Sequence, residues 1–466
     1  MRALAMKPVL LIDAVGLTPR LLGPRTPNLN ALAARAPMTT VLPAVTCSAQ
    51  ATMLTGALPT QHGAVGNGWL ARKSMEVALW RQSNALVSGE KVYEAVKRLD
   101  PAATVAKIFW WWNLGAAVDW SVTPRPFYPA DGRKIPAIYS APNEYGVELE
   151  RALGAFPFFD FWGPKSGLPS TRWLADAALR TLETKRPTLT MVYLPHLDYD
   201  FQRFGPDDPR SLRAVEELDV VCGDLLRGAE RAGAETIVVS EYGITSVSKP
   251  VHVNRVLREA GLLAVRETPA GEVLDVFASR AFAVSDHQLA HVYTKDRAST
   301  EAVARLAESL PGVDLVLGEK GKRALGLDHA RAGDVVLVSR PDAWFTYLYW
   351  LDDRNAPDFA RTVDIHRKPG YDPCELFLDP TIAFPKLHVA RRLAQKKLGM
   401  RYLMDVIPLD AMLVKGSHGR LPDDPLDGPV FLCSRPFGEC GPEPDGSGIL
   451  PMTSVKDRVL ALLARR

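Results

Sequence analysis

The chain has 466 residues, 47% hydrophobic and 23% charged, with a formal net charge of +3 from 56 basic and 53 acidic side chains. That composition excludes a disordered or fibrous chain, and so small a net charge implies neither a nucleic acid nor an anionic membrane surface as partner. The length exceeds what a single hydrophobic core holds, so one large domain with an insertion, or two domains, is expected. Five cysteines, odd in number and without paired-ligand spacing, argue against a disulfide scaffold or a zinc cluster and for free thiols in a reducing compartment.

The opening segment MRALAMKPVLLIDAVG ends its apolar run at Asp13 with no small-residue cleavage site, so it reads as a core strand rather than a signal peptide. No apolar stretch reaches the roughly 18 residues that cross a bilayer, and a soluble, cytoplasmic protein is expected. Continuous runs rich in β-branched and aliphatic residues follow at 8–13, 104–110, 188–195, 235–240 and 334–339. Runs of this kind suit strands covered on both faces, which predicts an α/β fold with a doubly wound, mostly parallel sheet. Between them, 208–233 begins with Asp-Pro and closes at a glycine, as a helix does.

Four of the five runs lead directly into chemically useful residues: Asp13, then His196 and Asp198, then Glu241 and Tyr242, then Arg340 and Asp342. Ligands of open α/β sheets bind beyond the carboxyl ends of the strands, so these side chains are placed to meet at one rim. From about 250 to 400 the texture changes to helices around the strands AFAVSDHQLAHVYT and VDLVLG, which predicts a smaller α+β insertion. Its segment DIHRKPGYDPCELF is dense in Pro, Gly and charge and reads as a structured loop.

The segment LPAVTCSAQATMLTGALPTQHGAVGN, residues 42–67, keeps a few polar groups among small and apolar ones, as a geometrically constrained site would. Taken with Asp13, LDYDFQRFGP (197–206), SEYG (240–243) and GSHGRLPDDP (416–425), it resembles the alkaline-phosphatase superfamily, in particular its nucleotide pyrophosphatase/phosphodiesterase branch. The resemblance divides the chain into a core of residues 1–249 and 401–466 and an insertion or cap, 250–400, that partly continues the core and matches nothing further.

What the resemblance implies is specific. Thr46 stands where that branch has a metal-bound threonine attacking phosphorus, at a helix start whose partial positive charge and free N–H groups suit a phosphoryl oxygen. Asn67 stands where an asparagine donates to a non-bridging phosphoryl oxygen. Two divalent ions are implied, zinc by resemblance, with Asp13, Thr46, Glu241 and Tyr242 around one and Asp198, Gln202 and His418 around the other. Gln202 and Tyr242 replace histidines and Glu241 an aspartate, which makes the set richer in oxygen and opens the possibility of Mn²⁺ or Mg²⁺. Asp200, Asp364 and His366 are candidate substitute ligands, with Arg367 or Lys368 facing substrate phosphate.

Other features read as structural. His62 braces its turn, His196 supports the rim, and FWWWN (109–113) packs as a strand end, with Trp111 free to line a leaving-group pocket. Arg133 and Lys134 lie in a turn as further candidate phosphate contacts. No phosphate-binding loop of the G-K-[ST] or G-x-G-x-x-G type is present, and the Cys-x-Pro-x-Arg signature of a sulfatase is missing around Cys47.

The expected function is metal-dependent hydrolysis of phosphate esters, phosphodiesters or pyrophosphates, on a small phosphorylated substrate through a phosphorylated Thr46. The alternatives are a phosphomonoesterase, a phosphonate hydrolase or a phosphoryl-transferring variant, and, from another class, a catalytically weak protein that binds a phosphate ligand. Oligomeric state is left open.

Overall fold

Strand Val9–Ala14 is buried at every position because it lies inside an eight-stranded sheet, flanked in parallel by Leu189–Leu194 and Glu235–Val239. The computed structural model describes residues 6–130 and 134–465, so the turn residue Arg133 lies outside the described residues. The strand order is Ala34–Pro37, Val430–Cys433, Glu235–Val239, Val9–Ala14, Leu189–Leu194, Val105–Ile108, Trp120–Pro124, Ile138–Ala141. Its five central neighbours run parallel, and the outer pairings at both edges are antiparallel. The fold is thus the mixed, mostly parallel α/β architecture that continuous apolar strands dictate.

Helices cover the sheet. Pro209–Arg231 starts where the Asp208 carboxylate accepts the Arg210 N–H at 2.9 Å with proline in the first turn, an N-cap that satisfies a donor the helix itself leaves free. Leu168–Thr184 packs beside it. The five cysteines are free and buried. Among the described residues no helix is long and apolar enough to cross a membrane.

The fifth apolar run is not part of the large sheet. Val335–Ser339 belongs to a separate four-stranded antiparallel sheet, ordered Ala281–Asp286, Leu289–Thr294, Val335–Ser339, Val313–Leu317. A run buried on both faces does not by itself distinguish the two kinds of sheet. Arg340 and Asp342, expected at the rim with the others, therefore sit elsewhere, Asp342 pairing with Lys249 at 2.6 Å on the surface.

The second sheet shares one continuous core with the first. It bears directly on the 42–67 segment, since His291 Nε2 donates to the Val65 carbonyl at 2.8 Å. The C-terminal segment returns to the same place. Gly416 lies so close to the Phe201 carbonyl that a Cβ would approach it to 2.1 Å, and this contact brings His418 up against the helix His196–Phe204.

Candidate active site

Thr46 is the first residue of helix Thr46–Thr55, which is buried along nearly its whole length and ends at Gly56 in the left-handed region. Its hydroxyl lies 3.2 Å from the Tyr242 hydroxyl, which in turn donates to Asp198 Oδ1 at 3.4 Å. Asp13 leaves the central strand, Asp198 sits in the first turn of the helix after Leu189–Leu194, and Glu241 and Tyr242 follow Glu235–Val239. The carboxyl ends of three adjacent parallel strands thus deliver all four to one point, as the sheet geometry requires.

On one side of Thr46 lies a pair of carboxylates. Asp13 and Glu241 are fully buried, and the Gln50 amide nitrogen donates to both, at 3.1 Å to Asp13 Oδ2 and 2.7 Å to Glu241 Oε1. Burial pushes the Asp13 carboxyl well up and the neighbouring charge of Glu241 adds to it. Burial also raises Glu241, opposed by the polar groups around it, Asp13 first and then Gln50, Thr46 and Tyr242.

On the other side four rings stack. Tyr242 lies on His418 with centroids 3.6 Å apart, His418 on His287 at 3.7 Å, and His287 on Tyr371 at 3.7 Å. His418 Nδ1 donates to the Ala44 carbonyl at 2.8 Å, which leaves Nε2 unprotonated and 3.7 Å from Asp198 Oδ1. Burial lowers His418 to about 3 and His287 well below its ordinary value, while it lifts Asp198 to about 7. Gln202 presents Oε1 to the Tyr371 hydroxyl at 3.1 Å.

Asn67 is held from three directions. Its Oδ1 accepts the Cys47 N–H at 3.0 Å, and its own backbone N–H and Nδ2 donate to Asp286 at 2.7 and 3.0 Å. Those bonds fix which end of the amide is nitrogen and leave its second N–H for a ligand. The Cys47 N–H, one of the first-turn donors a helix offers an anion, is meanwhile committed to Asn67. Asp286, buried and lifted to about 7 by that burial, positions the asparagine.

Thr46, Asn67, Asp198, Tyr242 and His287 open onto a cleft of about 110 Å³. Its remaining walls are mainly aromatic, with Trp80, Trp111, Phe158, Phe161, Trp162 and Tyr371. Trp111 also donates its ring N–H to the Arg81 carbonyl at 2.9 Å, which fixes the ring. Lys134 reaches this wall 5.7 Å from the Phe158 ring, and burial lowers its ammonium pKa.

The proposed substitute ligands are mostly committed elsewhere. Asp200 pairs with Arg203 at 3.1 Å and Asp364 with Arg367 at 2.7 Å. Lys368 is buried between Asp372 and Glu375, each at 2.7 Å. Burial lowers its pKa, but the two carboxylates outweigh that and hold it above the ordinary value. His366 reaches the cleft wall, where burial lowers its pKa. His62 braces its turn by bonds to Thr52 and Ala64, and His196 bonds Glu217 at 2.9 Å.

Sequence reasoning missed Gln50, Asp286, His287 and Tyr371. Gln50 had a signal, because it lies four residues after Thr46 and so on the same helix face. Asp286 ends one apolar strand and His287 begins the tight turn to the next, with His287 at φ 60 and yet buried. A non-glycine residue in that region is uncommon and often marks a functional turn.

These residues do not fit the two-cation centre that the resemblance implies. Among the described residues no group of three His, Cys, Asp or Glu side chains converges as a metal ligand set. Between Asp13 and Glu241 the donor is already the Gln50 amide. Tyr242, whose phenol burial pushes well up and so keeps neutral, is a poor ligand. The second position offers one carboxylate, one imidazole and an amide oxygen engaged with Tyr371.

The family profile described as type I phosphodiesterase / nucleotide pyrophosphatase matches residues 9–372. An uncharacterised pyrophosphatase/phosphodiesterase of Schizosaccharomyces pombe is 25% identical over 231 residues, 48% of this chain and 41% of that protein, so the match spans about two fifths of the relative's length. Phosphonoacetate hydrolase of Sinorhizobium meliloti, solved with phosphonoacetate, superposes with a TM-score of 0.60 at 16% identity, covering 98% of this chain and 96% of that one. Murine ectonucleotide pyrophosphatase/phosphodiesterase 5 gives 0.57 at 15% identity, covering 99% and 96%. Both likenesses speak to the fold. With the profile spanning more than three quarters of the sequence, the chain belongs to the type I phosphodiesterase / nucleotide pyrophosphatase family of hydrolases, within the alkaline-phosphatase superfamily.

Proposed function

We propose that this protein hydrolyses phosphodiester or pyrophosphate bonds of a small substrate through a phosphorylated Thr46. The observation that carries the reading is the hydrogen-bonded line from the Thr46 hydroxyl through Tyr242 to Asp198, 3.2 and 3.4 Å long, at the floor of the cleft. Along it the Thr46 proton passes to Tyr242 as the phenol proton passes to Asp198, so that the threonine oxygen attacks phosphorus as an alkoxide. The bond from Thr46 Oγ1 to phosphorus forms, the bond to the leaving oxygen breaks, and Asp198, which also faces the cleft, returns the proton to that oxygen. Water then attacks phosphorus and gives a proton to Asp198 as the bond to Thr46 Oγ1 breaks, and the same line through Tyr242 reprotonates Thr46. The spare N–H of Asn67 donates to a non-bridging oxygen, where charge accumulates in the transition state.

The aromatic walls favour a substrate that carries a flat or apolar group beside the phosphoryl centre, since such rings stack on ring faces and exclude water. A phosphate ester without a ring leaves those walls uncovered. The test uses bis(p-nitrophenyl) phosphate and p-nitrophenyl phosphate in parallel, with acid quenching and peptide mass analysis. Diester turnover with a phosphoryl adduct on the Thr46 peptide is the expected result. Turnover that persists in Thr46→Ala would remove threonine from the role.

A further inference from the structure

The geometry points to Gln50 as the group that occupies the place of a cation between Asp13 and Glu241, so that this carboxylate pair is a hydrogen-bonded centre and not a divalent-metal site. Both ends of the Gln50 amide are committed. Its nitrogen donates to Asp13 and Glu241, and its oxygen accepts the Trp111 backbone N–H at 2.6 Å. Rotating the amide to offer an oxygen ligand would set that oxygen against two carboxylates and its NH₂ against an N–H donor, losing three hydrogen bonds at once in a fully buried place.

Hard divalent cations are bound by converging oxygen ligands from a mobile or preformed cage. Here an N–H donor stands where that cage would close. Gln50 is rigidly held, since it lies within a buried helix and its partner Trp111 lies in the buried aromatic run beyond Val105–Ile108. One outer oxygen of each carboxylate, Asp13 Oδ1 and Glu241 Oε2, has no partner. They give the pair a latent capacity for a cation that the clamp withholds. The inference stands apart from the threonine reading, because its test reads ion binding and not turnover.

The experiment measures elemental content after dialysis and thermal unfolding with and without Mn²⁺, Mg²⁺ or Zn²⁺, for the intact chain, Gln50→Glu and Asp13→Asn. The native chain is expected to hold no stoichiometric ion on this pair and to unfold at the same temperature with each metal. Gln50→Glu puts a third carboxylate beside two others, so it is expected to unfold earlier without metal and to recover with Mn²⁺ or Zn²⁺. An ion held by the native chain and lost on Asp13→Asn overturns the proposal. So does a Gln50→Glu protein that folds and shows no response to any of the three ions.

Discussion

The floor and the wall of the cleft are built on different physical principles. The floor is supplied by strand ends of the large sheet and holds buried carboxyl groups in a hydrogen-bonded set, Asp13 and Glu241 on the Gln50 amide and Asp198 joined to Thr46 through Tyr242. The wall is supplied by Trp80 and Trp111, by residues 158–162 and by the 363–371 loop, and it is mainly apolar. One ion network braces it from behind, where Lys368 is buried between Asp372 and Glu375. In the proposed function, chemistry is tied to rigid elements and selectivity to surrounding loops. The second sheet joins the two, because its turn carries both Asp286, which orients Asn67 on the floor, and His287, which stacks on Tyr371 of the wall.

The division breaks most completely at Thr46. Thr46→Ala is expected to lower kcat for bis(p-nitrophenyl) phosphate by about 1,000-fold or more while the unfolding temperature stays close to that of the native chain. Lys368→Met tests the wall instead. Removing the cation from a buried pair of carboxylates is expected to cost about 3–5 kcal/mol of stability, seen as a lower midpoint in urea unfolding, and an unchanged midpoint would show the network to be dispensable.

Asp286→Ala tests the joint between the two regions. Releasing Asn67 is expected to reduce kcat by about 10- to 100-fold with little change in KM, whereas a purely structural role would lower stability and leave kcat per folded molecule intact. The smallest effect belongs to a single ring of the wall. Trp111→Ala is expected to raise KM for the diester by about 10-fold and leave a phosphate ester with only aliphatic groups almost unaffected, and equal loss on both substrates would deny the wall its role in selectivity.

The floor was far more legible in the sequence than the wall. Asp13, Asp198, Glu241 and Tyr242 each follow an apolar run directly, and a parallel sheet brings its carboxyl ends to one edge. Thr46, Asn67 and His418 sit in compact motifs of small and glycine residues, and the structure brings them within the same site. The 250–400 region carried no such regularity. His366 and its neighbours looked available as ligands because their partners are also short-range charges, and only the folded loop shows Asp364 bound to Arg367 and Lys368 enclosed. The run 334–339 had the right residues for a buried strand, but its neighbours in space decide whether it pairs parallel or antiparallel, and hydrophobicity does not encode that choice.

The sequence by itself therefore determined the α/β class, the strand ends that carry the site, the helix of 208–233 and the family, since each follows from local patterning or from short motifs. Tertiary structure alone decided the partners of the buried polar groups. Whether two carboxylates face a cation or an amide depends on where Gln50 points, and that is set by the Trp111 N–H, 61 residues away along the chain. Asp286, 219 residues beyond Asn67, likewise settles which end of that amide meets a ligand. Local pattern fixes elements because their hydrogen bonds are near neighbours; it leaves open the long-range partners of buried polar groups, and here those partners define the chemistry.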